Sequence, residues 1–404
     1  MGDKKRVAVI FGGQSSEHEV SRLSAESVIR NIDRDKFEVV MIGITKDGRW
    51  LPYDGPVELL GTGEWQAIAE KQLENMHLFP KAGQISNKLL LQKDGQYDAT
   101  DGQDFENKLA DDMGQGARQV LFSAGAALTV AEKDNRRVDV VFPVLHGCNG
   151  EDGTIQGMLE LAGIPYVGCG VLSSALGMDK AYAKVIFEKE GIPQGKYLVF
   201  NRKQIAGNIE ELINKVEETL TYPCFVKPSN AGSSVGVSKA RDRESLVSAL
   251  KLAARYDRRI LVEEFIDGRE AECAVLGNDD PVASTVGEVV PCNEFYDYEA
   301  KYLSGDSSKI IIPANLPADV IEKIRDYAVR AFKAIDGAGL ARVDFFVRKD
   351  SGEVLINEIN TMPGFTQISM YSKLWAASGL PYGKLIERLI ELAMERYEDS
   401  RREI

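Results

Sequence analysis

Two apolar runs rich in β-branched and aromatic residues, Ala341–Val347 and Val354–Ile359, are separated by charged and turn-forming residues that include Asp350-Ser351-Gly352. That pattern predicts a β-hairpin. Residues two apart on a strand share a face, which groups Arg342 with Asp344 and Glu358 with Asn360. With Ser351 at the centre of the loop, the register sets Asp344 opposite Glu358 and Arg342 opposite Asn360. Four polar side chains then crowd one face, and Met362-Pro363-Gly364 follows as a tight turn able to aim backbone N–H groups back at them.

The same reading applied along the rest of the chain gives alternating strands and helices. Val7–Phe11 is a buried strand ending in Gly12-Gly13, followed by Ser15-Ser16-Glu17-His18-Glu19, a helix from about Val20 to Ile29 and a strand at Phe37–Ile44. This is the opening βα unit of a doubly wound sheet, in which ligands sit beside the carboxyl ends of strands, where Glu17 falls. It is not G-x-G-x-x-G, so no dinucleotide is indicated. Leu51 to Arg137 is less regular and reads as an elaboration of this first unit. Val138–Leu145 is another buried strand, delivering His146-Gly147-Cys148-Asn149-Gly150-Glu151-Asp152-Gly153 before a helix at Thr154–Ala162. Such a glycine-rich loop can present backbone N–H groups to an anion. A short strand at Ile164–Val167 and a connecting helix at Ser173–Met178 lead to a boundary.

From Asp179 the pattern changes. A helix carries Lys180 and Lys184, then come a turn at Gly191-Ile192-Pro193, a strand at Lys196–Phe200 and a helix near Ile209–Leu220. The strand Cys224–Lys227 runs into Pro228–Val237, whose small residues and hydroxyls make a flap able to cover a polyphosphate, with Lys227 as a point charge beside it. It is no Walker loop. Strands at Ile260–Phe265, carrying Glu263 and Glu264, and at Glu270–Leu276 follow, then a polar-aromatic surface loop at Glu294–Leu303. Amphipathic helices at Asp319–Ile335, under the hairpin, and at Tyr382–Arg396 close the chain.

At 404 residues the chain can bury a large core, and its length predicts two or three domains. A net charge of −13 argues against nucleic acid or an anionic membrane as partner, so an anionic substrate needs a local basic pocket. Five cysteines with no C-x-x-C spacing suit free thiols in a reducing compartment, and the three histidines lack zinc-site spacing. Val7–Phe11 is too short for a signal peptide or membrane span, and Met1-Gly2 lacks the hydroxyl residue of a myristoylation site, so the expectation is cytoplasmic.

Two carboxylates and a carboxamide facing one point are hard oxygen ligands of the kind Mg²⁺ takes alongside nucleotide phosphates. Taken alone, each cluster has a plainer explanation: a solvated hairpin face with cross-strand ion pairs, a carboxylate decorating a helix N-terminus at Glu17, a structural histidine at His146, a tight hairpin at the flap, hydrated strand edges at Glu263 and Glu264. Their order along one chain decides between these readings. Lys180, the Lys227 flap, Glu263, Glu270 and the Asp344/Glu358/Asn360 hairpin resemble the ATP-grasp enzymes. With GGQSSEHEVS at Gly12–Ser21, HGCNGEDGTIQG at His146–Gly157, GSSVGV at Gly232–Val237, YDYEAKYLS at Tyr296–Ser304 and NEINTMPGFT at Asn357–Thr366, nearly the whole chain is similar to the D-alanine–D-alanine ligases.

That resemblance implies an α/β fold of ATP-grasp type in three domains: an N-terminal doubly wound, Rossmann-like domain at 1–179 binding the first D-alanine, a central domain at 180–269 with the phosphate flap, and a C-terminal domain at 270–404 with the metal and second-substrate sites. It implies ATP held by Lys180, Lys227, Ser233, Ser234, Glu263, Glu264, Ile266, Glu270 and Lys301. Two Mg²⁺ ions, or Mn²⁺ in their place, would lie on Asp344, Glu358 and Asn360. The first D-alanine carboxylate would attack the γ-phosphate to give an acyl phosphate. The amine of the second would then attack the acyl carbon, with Arg342 and the Gly364 N–H meeting the oxyanion. Glu17 would receive the first ammonium, near Ser233, Tyr302 and His146, and Lys301, Ser369 and Met370 would hold the second D-alanine. The resemblance also implies a homodimer and a role in peptidoglycan precursor synthesis. Relatives in the family join D-alanine to D-lactate or D-serine, and the tyrosine of AKY, Tyr302, accompanies the dipeptide-forming members.

Overall fold

The computed structural model describes residues 4–75, 137–232, 235–291 and 308–401. Ser233, Ser234, Lys301 and Tyr302 lie outside the described residues, as do most of the irregular stretch before Arg137 and the loop at Glu294–Leu303.

The first sheet is built around β1 (Lys5–Gly12), which is buried from Arg6 onward. Next in the chain come α1 (His18–Asn31), β2 (Phe37–Ile44), β3 (Trp50–Tyr53), the short helices α2 (Glu58–Thr62) and α3 (Trp65–Asn75), and β4 (Val140–Pro143). The strand order is β3-β2-β1-β4, with β1 parallel to both β2 and β4 and β3 antiparallel at the edge. Gly12 ends β1 at φ +89°, and a Cβ there would lie 2.1 Å from the Ile44 carbonyl oxygen, so only glycine lets the chain leave the sheet here. That exit sets Glu17 at the carboxyl end of the strands. β4 covers only the middle of its apolar run and ends at Pro143, with the Val144 N–H still bonded to the Ile10 carbonyl at 2.9 Å. Ile164–Val167 contributes a single bridge, Val141 to Tyr166, between helices α4 (Thr154–Ala162) and α5 (Val171–Met178).

The central part opens with α6 (Lys180–Lys189), capped by the Asp179 carboxylate. Its sheet joins β5 (Tyr197–Asn201), β6 (Cys224–Pro228), β7 (Ser238–Ala240) and β8 (Arg259–Glu264) in the antiparallel order β5-β8-β6-β7. The short α7 (Arg202–Gly207) follows β5, and α8 (Ile209–Thr219) and α9 (Arg243–Tyr256) cover one face, burying Ile213, Val216, Leu246 and Leu250 on Cys224 and Val226. Helix α9, with Leu246, Ala249, Leu250 and Ala253 on one stripe and an Asp242–Ser245 capping box, was not among the expected elements. Strand alternation puts Phe225, Lys227 and Glu263 on the opposite face.

The third sheet has the order β11-β10-β9-β12-β13, formed by β9 (Gly268–Gly277), β10 (Val282–Pro291), β11 (Ser308–Ile311), β12 (Gly339–Arg348) and β13 (Val354–Asn360). A division of the chain between 269 and 270 therefore falls inside β9. β10 was also unexpected, since Ser284, Thr285 and Gly287 interrupt its apolar pattern and its register shifts between Ala283 and Val286. Helix α10 (Ala318–Ala334) packs Ile324, Ala328 and Phe332 against the apolar face of β9, β12 and β13. The carboxyl-terminal helices α11 (Met370–Ala377) and α12 (Tyr382–Asp399) share one core with the first sheet. There the Phe365 ring meets Phe142 at 5.7 Å, Tyr371 at 5.8 Å and Tyr382 at 5.5 Å, and the Tyr382 hydroxyl donates to the Phe365 carbonyl at 2.7 Å. The loop after the hairpin is thus pinned to the first sheet. Phe365→Ala is expected to cost about 3–5 kcal/mol in urea unfolding, through the cavity left among three rings.

Candidate active site

The hairpin forms in the expected register. Arg342 faces Asn360 and Asp344 faces Glu358, with a bulge at Asn357 that lets Phe345 face Ile356. On the other side of β12, Asp344 faces Glu272 of β9. One row across three strands therefore reads Glu272, Asp344, Glu358. The Arg342 guanidinium lies over this row, donating to both oxygens of Asp344 at 2.7 Å and standing 2.9 Å from Glu272. Asn360 Nδ2 donates to Asp344 at 3.1 Å. Glu272 is a member of the site that the sequence reading did not single out; its spacing of two from Glu270 was the available signal.

Facing this acidic row is a set of lysines. Lys180 Nζ lies 3.4 Å from Glu358 and donates to the Ala231 carbonyl at 3.0 Å, joining the hairpin to the start of the flap. Lys227 Nζ donates to Asn357 Oδ1 at 3.4 Å and pairs with Glu263 at 2.7 Å. The other Glu263 oxygen is 2.7 Å from buried Lys184, a residue not expected in the site. Burial works to raise the Glu263 carboxyl, but the two lysines outweigh it and hold it at about 2. For Lys227, burial pulls the ammonium down, and Glu263, Glu358 and Glu270 together push it above its ordinary value. Glu263 is an interior bridge between two cations, not a hydrated edge. Glu264 accepts from the Lys196 N–H and from Arg348, both at 2.9 Å, and Ile266 packs against the position where a Cβ on Gly195 would stand.

Glu17 is buried at the other end of the cleft. Its carboxylate lies 2.6 Å from where a Cβ on Gly147 would be and 2.7 Å from one on Gly232, so the loop after β4 and the entry to the flap both close on it through glycine. His146 is buried beside it with both ring nitrogens engaged: Nδ1–H donates to the Met362 carbonyl at 3.1 Å, and Nε2 accepts from Ser24 at 3.0 Å. Burial, opposed by the Glu17 charge, lowers its pKa, so the ring is neutral and clamps α1 to the loop after the hairpin. Glu151 accepts from the Gly147 N–H at 2.7 Å. In that loop, Ser369 Oγ accepts from the Thr366 N–H at 3.0 Å and lies 3.5 Å from a Cβ built on Gly364. Met370 is a core side chain, its sulfur beneath Gly287 of β10.

Chemically, the cleft has lysine ammonium groups on one wall and hard oxygens on the other. Among the described residues no three His, Cys, Asp or Glu side chains form a ready-made metal cage. The donor set nonetheless fits a Mg²⁺-like ion that keeps water and phosphate ligands, because Asp344, Glu358 and Asn360 share one face and the Asp344 oxygens are already committed to a cation, Arg342.

Models of the D-Ala D-Ala ligase N-terminus and C-terminus match residues 6–169 and 186–391. The chain belongs to the D-alanine–D-alanine ligase family. Among relatives in that family, a D-alanine--D-alanine ligase of Ruminiclostridium cellulolyticum is 65% identical over 401 residues, covering 99% of this chain and 98% of the relative. One of Acetivibrio thermocellus is 60% identical over 403 residues, covering 100% and 99%. Among solved structures, the VanG D-Ala:D-Ser ligase of Enterococcus faecalis superposes with TM-score 0.74 at 37% identity, covering 97% of this chain and 100% of that one. The D-alanine-D-alanine ligase of Coxiella burnetii does so with TM-score 0.72 at 33% identity, covering 98% and 96%. The ATP-grasp fold and membership in an ATP- and divalent-metal-using ligase family therefore stand.

The depressed Glu263 carboxyl makes a stability prediction. Its charge contributes fully above its ordinary pKa of 4.5, and the contribution is lost as pH falls from there toward about 2. Glu263→Gln should flatten the loss of stability over that window in urea titrations. Lys184→Met, which leaves Glu263 with one cation, should cost about 3 kcal/mol at neutral pH.

Proposed function

We propose that this chain joins two D-alanine molecules into D-alanyl-D-alanine with conversion of ATP to ADP, for the synthesis of peptidoglycan precursors in the cytoplasm. The observation that carries this reading is Lys180, which ties the acidic hairpin row at Glu358 to the flap entry at Ala231, while that same entry closes on Glu17. Phosphate cations, the carboxylate row and a buried anion for an ammonium group thus line one cleft.

ATP lies between the central and third sheets, its phosphates on Lys180 and Lys227 under the flap of Ser233 and Ser234, its base near Glu264 and Ile266 and its ribose near Glu270. Asp344, Glu358 and Asn360 hold two divalent ions, Mg²⁺ or Mn²⁺, which when bound neutralise phosphate charge. Glu17 takes the ammonium of the first D-alanine and directs its carboxylate toward the γ-phosphate, with His146 keeping the pocket closed. An acyl phosphate and ADP result. The second D-alanine, its carboxylate on Lys301 and Ser369, attacks the acyl carbon through its amine. Arg342 and the Gly364 N–H stabilise the oxyanion and inorganic phosphate leaves. Met370 acts from beneath, by supporting the strand and helix that carry this subsite. Tyr302 selects D-alanine as acceptor over D-serine or D-lactate. The working form is a homodimer.

The test is ADP release with Mg²⁺-ATP and D-alanine, products identified by mass, with D-serine and D-lactate as competing acceptors. D-alanyl-D-alanine is the expected dominant product; a D-serine or D-lactate product would move the chain to the branch of the D-Ala:D-Ser ligase it resembles. Asp344→Asn should fold normally and lose on the order of 100-fold in turnover, because it weakens a ligand at the transferring phosphate. Near-normal turnover would remove Asp344 from the metal site.

A further inference from the structure

Two carboxyl groups close on one glycine. Gly147 gives its N–H to Glu151 Oε1 at 2.7 Å, and the Glu17 carboxylate stands 2.6 Å from where a Cβ on Gly147 would be. Glu17 is also 2.7 Å from a Cβ on Gly232, so the pocket has the flap entry on its other side. Glu151 belongs to the loop after β4, and its charge would act on Glu17, on Lys180 and on Arg342, which come from three different parts of the chain. Among the other titratable groups near it, His146 has both ring nitrogens engaged, and the Asp152 oxygens are turned to the Asn149 and Thr154 N–H groups.

Charge balance decides what Glu151 can be. A first substrate brings one ammonium to this pocket, and Glu17 supplies one negative charge. A second carboxylate at Gly147 would repel the substrate's own carboxylate and the phosphates, and would draw Lys180 and Arg342 away from the atoms they serve. We propose that Glu151 is a positioning residue that acts as a neutral carboxylic acid, fixing the Gly147 turn around Glu17 while leaving Glu17 as the single anion of the ammonium pocket. Burial, with the Glu17 charge next in weight, raises the Glu151 carboxyl well above its ordinary value, against the opposing pull of the Gly147 N–H, then of Lys180 and Arg342. The proposal rests on the ligase reading of this site.

Two substitutions separate the roles. Glu151→Gln keeps the oxygen that accepts from Gly147 and cannot ionise; Glu151→Ala removes the acceptor. With wild type, both are assayed for D-alanine-dependent ADP release between pH 6 and about 10 and for thermal unfolding over the same range. Glu151→Gln is expected to stay within about 3-fold of wild type at pH 7.5, and to lose the alkaline fall in kcat/KM that wild type shows as Glu151 ionises. Glu151→Ala is expected to drop by more than 10-fold, mainly by raising KM for D-alanine. In unfolding, wild type should lose stability relative to Glu151→Gln as pH rises, because the folded state alone keeps the Glu151 proton above the ordinary carboxyl range. A folded Glu151→Gln that loses 30-fold or more at every pH would show that the ionised carboxylate is required, and would overturn the proposal. Wild-type rates in both variants would overturn the positioning role. Wild type failing to release ADP would instead refute the ligase reading, and the unfolding comparison would still report the protonation state.

Discussion

The site depends on the Arg342–Asp344 pair in the middle of the third sheet. Both residues sit on β12, two apart, and the bidentate bond between them lies at the crossing of a row from β9 to β13. An uncompensated carboxylate row of Glu272, Asp344 and Glu358 would repel itself in a half-buried cleft, and the guanidinium offsets that repulsion. Lys180 and Lys227 extend the compensation from the central sheet. The seam between the two sheets is held by opposite charges: Lys180 beside Glu358, and Lys227 on Asn357 and Glu263.

The other side of the cleft is fixed by packing. Phe365, immediately after Gly364, is buried among rings from the first sheet and the carboxyl-terminal helices, and His146 bonds the Met362 carbonyl from across the same junction. Arg396 of α12 lies 4.1 Å from the Tyr166 ring and donates to the Tyr166 carbonyl at 3.2 Å. The first and third sheets are therefore one packed unit. The central part meets the third sheet through an apolar contact, Ala183, Phe187 and Ile192 of α6 and the turn after it packed with Ile356 and Phe332, and through polar contacts at Lys180, Lys227 and Arg348.

Much of this was legible in the sequence because it is local. The hairpin register followed from the loop centre at Ser351 and the strand period, and the Gly12 exit that presents Glu17 followed from a strand ending in glycines. The omissions have a common cause. Lys184 points into the site only because Glu263 waits on a strand some eighty residues later, and Glu272 joins only through the β9–β12 pairing. Glu151 lay within a recognised motif, yet its proximity to Glu17 depends on two loops from different strands of the first sheet meeting at Gly147. Glu263 had the opposite fate: as an isolated acidic strand end it looked hydrated, and two lysines from elsewhere made it interior.

The central claim is that this cleft transfers the γ-phosphoryl group to a substrate carboxylate before the new amide forms. It is tested most directly with D-alanine carrying ¹⁸O in both carboxylate oxygens, turned over with Mg²⁺-ATP, and the released inorganic phosphate examined by mass. Attack of the carboxylate on phosphorus, followed by cleavage of the carbon–oxygen bond, predicts one ¹⁸O in each phosphate. Phosphate without label, alongside dipeptide formation, would contradict the account.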